Sequence, residues 1–172
     1  MPWKLDATID AGRVVLCDDW LGAGDPSWTA GGVDVEVRVP RGSYPVELVT
    51  ATHALYGTRY AAAHVVVDPS ADVERWELVA PVAPTYPADG YIVQTGVGSF
   101  GDVDALLDPP SDAMDAAPFW SGGTHWQQFD TEAGGSIVAF TVAGQDQVCR
   151  TWRGLDAAGR VVRVRTDFGL LD

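Results

Sequence analysis

The sequence predicts an all-β or mainly β protein, an antiparallel sandwich or barrel-like sheet with one short helix. Two observations lead there. Apolar and polar residues alternate in short runs, most cleanly at 33–39 (V-D-V-E-V-R-V), where period two puts all four valines on one face. Turn residues punctuate the whole chain, which carries 19 Gly and 11 Pro, too many to leave room for long helices.

Taken in order, residues 14–17 are a short apolar run after a turn at Ala11-Gly12. A loop rich in Gly, Asp and Pro follows at 22–32, with Trp20 and Trp28. The valine strand at 33–39 then turns through Pro40-Arg41-Gly42-Ser43, where proline fixes one dihedral and glycine frees another. Residues 44–53 read as the next strand, with Pro45 confined to its start. Residues 60–68 are more apolar throughout and read as a central strand. Further strands are expected at 73–79, 91–95, 136–142, 147–152 and 160–166, the last two joined by a hairpin-type turn at 156–159. Only 102–107 reads as helix, and Pro109-Pro110 ends it. Residues 109–135 are expected to be a long loop bearing Phe119, Trp120 and Trp126, its aromatics packed back on the body. No repeat or linker divides the 172 residues, so a single domain over 1–172 is expected.

Composition bounds the function. The chain is 47% hydrophobic and 20% charged, ordinary for a globular domain, and no apolar run approaches the ~20 residues that cross a bilayer. The first residues lack the basic and apolar regions of a secretory leader. Cys17 and Cys149 stand in no metal or redox spacing and read as two reduced, buried thiols of a cytoplasmic protein. Twenty-four acidic residues against eleven basic ones give a net charge of −13. A field of that sign repels nucleic-acid backbones and anionic membranes, since affinity for both comes from cations that neutralise phosphate. A basic protein is the partner it favours.

Several motifs invite chemistry. Gly96-Val97-Gly98-Ser99-Phe100-Gly101 matches the dinucleotide pattern G-x-G-x-x-G. That chemistry needs a long helix directly after the glycines to hold a pyrophosphate, and the helical stretch here stops at Pro109-Pro110, so the segment reads as a glycine loop between strand and short helix. Ser99 is no nucleophile elbow, because valine stands at position 97 where G-x-S-x-G requires glycine. Asp102 is expected to cap the short helix. Asp102, Asp104, Asp108, Asp112 and Asp115 form an acidic run without the glycine and closing glutamate of a calcium loop, and read as solvated carboxylates. His53, His64 and His125 have no metal spacing. His64, inside an apolar strand, reads as a satisfied core residue, and His125, beside Trp126, as a surface contact. No catalytic residue, metal or cofactor is assigned.

The order of motifs resembles a known family. It runs Gly12-Arg-Val-Val-Leu-Cys-Asp18, Val39-Pro-Arg-Gly-Ser-Tyr-Pro-Val46, a strand with Trp76, Gly96-Val-Gly-Ser-Phe-Gly-Asp102, then Val138 to Asp146, Trp152-Arg-Gly-Leu-Asp156 and Val164-Arg-Thr-Asp-Phe168. This resembles the bacterial family designated domain of unknown function 4241, from about Gly12 to the C-terminus. The family's late Gly-Asp-Gly turn is here Gly144-Gln-Asp-Gln-Val148, which keeps only Asp146. The resemblance implies an intact domain of that fold and no particular activity.

Two functional readings follow. The first is a non-enzymatic acidic binding protein, in its sharpest form an immunity-type inhibitor of a basic toxin, or otherwise a protein-interaction module, with contacts expected at Ser99, Asp102, His125, Trp126, Asp146 and Asp167. The alternative is a small hydrolase or cation-dependent enzyme whose carboxylate-lined site gathers Ser99, Asp102, Asp146 and Asp167.

Overall fold

In the computed structural model, residues 2–26, 33–85, 87–116 and 123–170 are described, 114–116 by backbone alone. The first part of the chain forms β1 (Lys4–Leu16), β2 (Trp20–Gly24), β3 (Val35–Arg38), β4 (Gly42–His53), β5 (Gly57–Val66), β6 (Arg75–Leu78), β7 (Tyr91–Val93) and β8 (Val97–Asp102). Two short helices follow, α1 (Val103–Leu107) and α2 (Ser111–Ala116), then β9 (Trp126–Asp130), β10 (Ser136–Thr141), β11 (Gln147–Leu155) and β12 (Val161–Asp167).

The strands form two sheets. The larger runs β1-β4-β5-β12-β11-β6, with β7 pairing the other half of the β11 edge, and the smaller runs β3-β2-β8-β10-β9. Every pairing is antiparallel. The fold is therefore mainly β, and neither sheet closes into a barrel.

Alternation explains why the sheets meet. On β12, Val162 and Val164 are buried with Thr166 while Arg163, Arg165 and Asp167 stay partly exposed on the opposite face. On β3, Val35 and Val37 are buried and Arg38 is exposed. One apolar core joins both sheets: Val14, Leu48, Val65 and Val164 from the larger, Leu21, Val37, Phe100 and Phe140 from the smaller. Phe140 sits between Phe100 and Phe168, ring centroids 5.8 and 5.7 Å away. Each such side chain contributes about 1.5–3 kcal/mol by leaving water.

The sheets are also joined by hydrogen bonds at one edge. Beyond β4, β1 has no paired strand among the described residues. The amides at Arg13 and Val15 of β1, and at Cys17 just beyond it, recur with period two and point away from β4. Three side chains of the smaller sheet accept them: Gln128 Oε1 of β9 at 3.0 Å, Ser136 Oγ of β10 at 2.8 Å and Asp102 Oδ2 of β8 at 2.8 Å. Open strand edges carry unsatisfied donors, and these are satisfied without a further strand.

Several expectations are corrected. Ala11-Gly12 is not a turn but a bulge within the 13-residue β1, where the register with β4 shifts between Asp10 and Arg13 and Gly12 takes φ +82°. Gly22 to Gly24 belong to β2 and not to a loop. The expected glycine loop at 96–101 is largely β8, a central strand of the smaller sheet. Its glycines serve packing: a Cβ on Gly101 would stand 2.9 Å from Leu106 Cγ, and one on its register partner Gly22 would stand 2.8 Å from Leu106 Cδ1. The side chain of α1 lies on strands cleared for it. The expected loop at 109–135 includes α2 and β9, while its Phe119 and Trp120, the Asp115 side chain, and Trp28 of the earlier loop lie outside the described residues. Of the two cysteines, both free, Cys149 is buried and Cys17 exposed.

Candidate functional site

Between Arg75 and Arg150 the sequence contains no lysine or arginine. That stretch builds β8, both helices, β9 and β10, so these elements carry no lysine or arginine. Arginines from either side of it are engaged on the larger sheet instead. Arg75 and Arg153 both pair with Glu77, Arg163 with Glu47, Arg165 with Asp167, and Arg150 with Asp89. The net charge is thus unevenly distributed.

A cleft of about 750 Å³ opens among these elements. One wall is α1 with the Asp108-Pro109-Pro110-Ser111 step into α2, and the other is the end of β9 with the turn into β10. Asp104 and Asp108 stand on the first wall, Asp130 and Glu132 on the second, all exposed. Among the described residues, no lysine, arginine or histidine lines it. The turn is held by Thr131 N donating to Gly135 O at 2.9 Å and Gly134 N to Thr131 O at 3.0 Å. The Cys17 thiol, at the cleft wall, donates to Ala133 O at 3.4 Å. Like charges gathered around a concave surface reinforce one another's field, which attracts cationic ligands and repels anions.

Asp102 closes the inner end of the cleft but is not a free ligand. It is 2% exposed and its carboxylate accepts four amides: Cys17 at 2.8 Å and Asp18 at 3.4 Å on Oδ2, Asp104 at 3.1 Å and Ala105 at 3.3 Å on Oδ1. One side chain caps α1 and fastens the end of β1 to β8, the capping role its sequence position indicated.

The other expected contact residues are dispersed. Ser99 is buried in β8, its hydroxyl donating to Gly24 O at 2.8 Å. Asp146 is exposed in the β10–β11 turn at φ +53°. This turn lies at the Val97 end of β8, where Val142 N donates to Gly96 O, so Asp102 and Asp146 stand at opposite ends of a strand about 17 Å long. Asp167, at the end of β12 in the other sheet, pairs with Arg165 and accepts Gly169 N at 3.0 Å. His125 N donates to Thr141 Oγ1 at 3.1 Å at the start of β9. Trp126 is 40% exposed and packs over the β1 bulge, 3.3 Å from where a Cβ on Gly12 would stand. Ser99, Asp102, Asp146 and Asp167 form no common pocket, and no cluster of three metal-binding side chains occurs among the described residues.

A second carboxylate grouping escaped sequence reading. Asp25 directly follows β2, is 4% exposed, and accepts Thr95 N at 3.1 Å and Thr95 Oγ1 at 2.6 Å. Asp34, just before β3, is raised from the ordinary carboxyl value to about 6, first by burial and then by the neighbouring Asp25 carboxylate. The two lie nine positions apart in sequence and meet only because β2 and β3 pair, so no local spacing marks them. The cleft walls were likewise legible only as an acidic run on one side, since Asp130 and Glu132 come from another element.

No protein family model, curated protein or solved structure matches the chain.

Proposed function

We propose that this chain is a non-enzymatic binding protein whose acidic cleft receives a basic protein partner. The observation that carries the reading is the pair of facing walls, Asp104 and Asp108 against Asp130 and Glu132, with no cationic side chain among the described residues that line them. Such a surface steers a cationic partner toward it and rejects phosphate-bearing ones. An inhibitor of the immunity type, covering the nucleic-acid-binding surface of a basic toxin, is the sharpest form of the reading. A reducing cytoplasm suits the two unpaired cysteines. The carboxylate-enzyme alternative loses support because its four residues are dispersed and two are engaged in holding strands together.

The test is capture of basic proteins from the native host across a salt gradient, with the parent chain and a variant carrying Asp104→Asn, Asp108→Asn, Asp130→Asn and Glu132→Gln. One basic protein is expected on the parent, released by salt and not retained by the variant. Asp146→Asn, which removes one carboxylate outside the cleft, should retain it, whereas each of the four cleft substitutions made singly should weaken it. Equal capture by parent and cleft variant, or no basic protein at any salt, overturns the proposal.

A further inference from the structure

On the larger sheet, the face turned away from the core carries a row of register partners across four strands. Trp152 of β11 stands beside Arg165 of β12, Arg165 beside His64 of β5, and His64 beside Glu47 of β4. Arg163 lies one pleat along β12 on the same face, within the ~7–8 Å reach of a diagonal neighbour. Two cations and an imidazole thus meet in a protein whose net charge is −13.

The row is incompletely satisfied. His64 Nδ1 and Arg165 Nε are both buried without a hydrogen-bond partner among the described residues. Native structures leave few such atoms, because burial without a partner forfeits the hydrogen bonds the group makes to water, at greatest cost when it is charged. Here the two sit on facing residues. Asp167 engages a terminal nitrogen of Arg165 and leaves Nε unused, while Glu47 reaches Arg163 only at 3.6 Å. The groups that face His64 are therefore Glu47 from β4 and Arg163, Arg165 and Asp167 from β12.

We propose that Arg163, Arg165 and His64 form a binding site for a small tetrahedral oxyanion of the phosphate or sulfate class on the outer face of the larger sheet. A modest swing of the Arg165 side chain presents Nε–H and a terminal N–H to the anion as a planar fork. His64 then donates through Nδ1 once protonated, and Arg163 supplies the second charge. Burial and the two guanidiniums hold His64 down at about 4, so the empty site has a neutral imidazole at neutral pH. An anion seated between the guanidiniums cancels that field and draws a proton onto the ring. Anion and proton binding are therefore coupled, each raising affinity for the other.

The experiment follows the His64 ring by NMR through a pH titration of the intact chain in chloride, then with inorganic phosphate or sulfate at matched ionic strength, with acetate as a planar control. The expected result is a saturable rise of the His64 midpoint toward the ordinary imidazole value with phosphate and sulfate. Acetate should give a smaller rise. Arg165→Gln should abolish the anion effect, and Arg163→Gln should weaken it if Arg165→Gln does not fold. A midpoint that tracks ionic strength alone, or an anion effect that survives in the folded arginine variants, overturns the site. The cleft and its basic partner play no part in this test.

Discussion

Replacing Asp102 with asparagine is expected to destabilise the fold severely, although the shape hardly changes. The carboxylate divides its two oxygens between two jobs, Oδ2 on Cys17 and Asp18 and Oδ1 on Asp104 and Ala105. Asparagine keeps one oxygen, so whichever way the amide lies, one pair of backbone donors faces an NH₂ group. If the helix side is lost, the missing cap costs about 1 kcal/mol and the opposed donors more. If the β1 side is lost, the Cys17 amide goes unsatisfied, at about 1–3 kcal/mol, together with a charge-assisted bond. Either way the loss is about 2–4 kcal/mol, a large share of the ~5–15 kcal/mol that holds a domain together. Asp102→Ala loses both jobs and should fall at or beyond the upper end. Urea unfolding followed by tryptophan fluorescence measures it, and seven tryptophans supply the signal. Asp104→Asn, two residues away and exposed, is the control and should change stability by less than about 0.5 kcal/mol. If Asp102→Asn unfolds with the same midpoint and slope as the parent, the joint between helix cap and strand edge does not exist as described.

Two further substitutions test buried features. Asp34 is raised from 3.8 to about 6, so the folded state holds a proton that the unfolded chain gives up. Its stabilising effect is full below 3.8 and is lost as pH rises through 6. Asp34→Asn should therefore stabilise the protein at pH 7, with a ceiling of about 3 kcal/mol that solvent screening of a half-buried side chain trims to about 1–2. It should do little at pH 3.5; denaturant unfolding at the two pH values gives the comparison, and equal effects at both refute the cause. Gly101→Ala places a methyl 2.9 Å from Leu106 Cγ and 3.1 Å from Ile137 Cγ1, and should cost about 1–3 kcal/mol by overpacking. Leu106→Ala in the same chain should then cost less than in the parent, because the new methyl fills part of the cavity; a strictly additive double-mutant cycle argues against that packing.

How much of this was written locally in the sequence depends on the range of the interaction that decides each feature. The alternation at 33–39 identified its strand because period two is a property of neighbouring residues, and the Asp102 cap was recognisable because its helix follows directly. The bulge at Gly12 was misread as a turn because glycine at positive φ serves both, and only pairing with β4 distinguishes them. The Gly96–Gly101 stretch looked like a loop because glycine disfavours strands on its own. Its place in the smaller sheet comes from Leu106, Phe140 and Val142 occupying the space that its side chains lack, contacts that only the fold creates. His64 read as a satisfied core residue from the apolar strand around it. Parity within β5 puts it on the outer face, where its neighbour is an arginine 101 positions further along the chain.

The same reasoning separates carboxylates that build this protein from those free to meet a partner. Asp102, Asp156 and Asp25 are nearly inaccessible and each accepts at least two hydrogen bonds, so their charge is committed to backbone or side-chain donors within the fold. Asp104, Asp108, Asp130 and Glu132 are exposed and line the two walls of a cleft, Asp130 alone of them accepting a side-chain donor, Gln128 Nε2 at 2.8 Å. Burial is costly for a carboxylate unless donors surround it, which accounts for the first group. Mutual repulsion across an open cleft gives the second group no comparable return in folding. A requirement of the fold accounts for Asp130, which orients Gln128 toward the Arg13 amide, but not for Asp104, Asp108 and Glu132, and neutralising those three should leave stability unchanged or raised. A gain in stability from those three substitutions together with a loss of partner would place the advantage of these residues in binding.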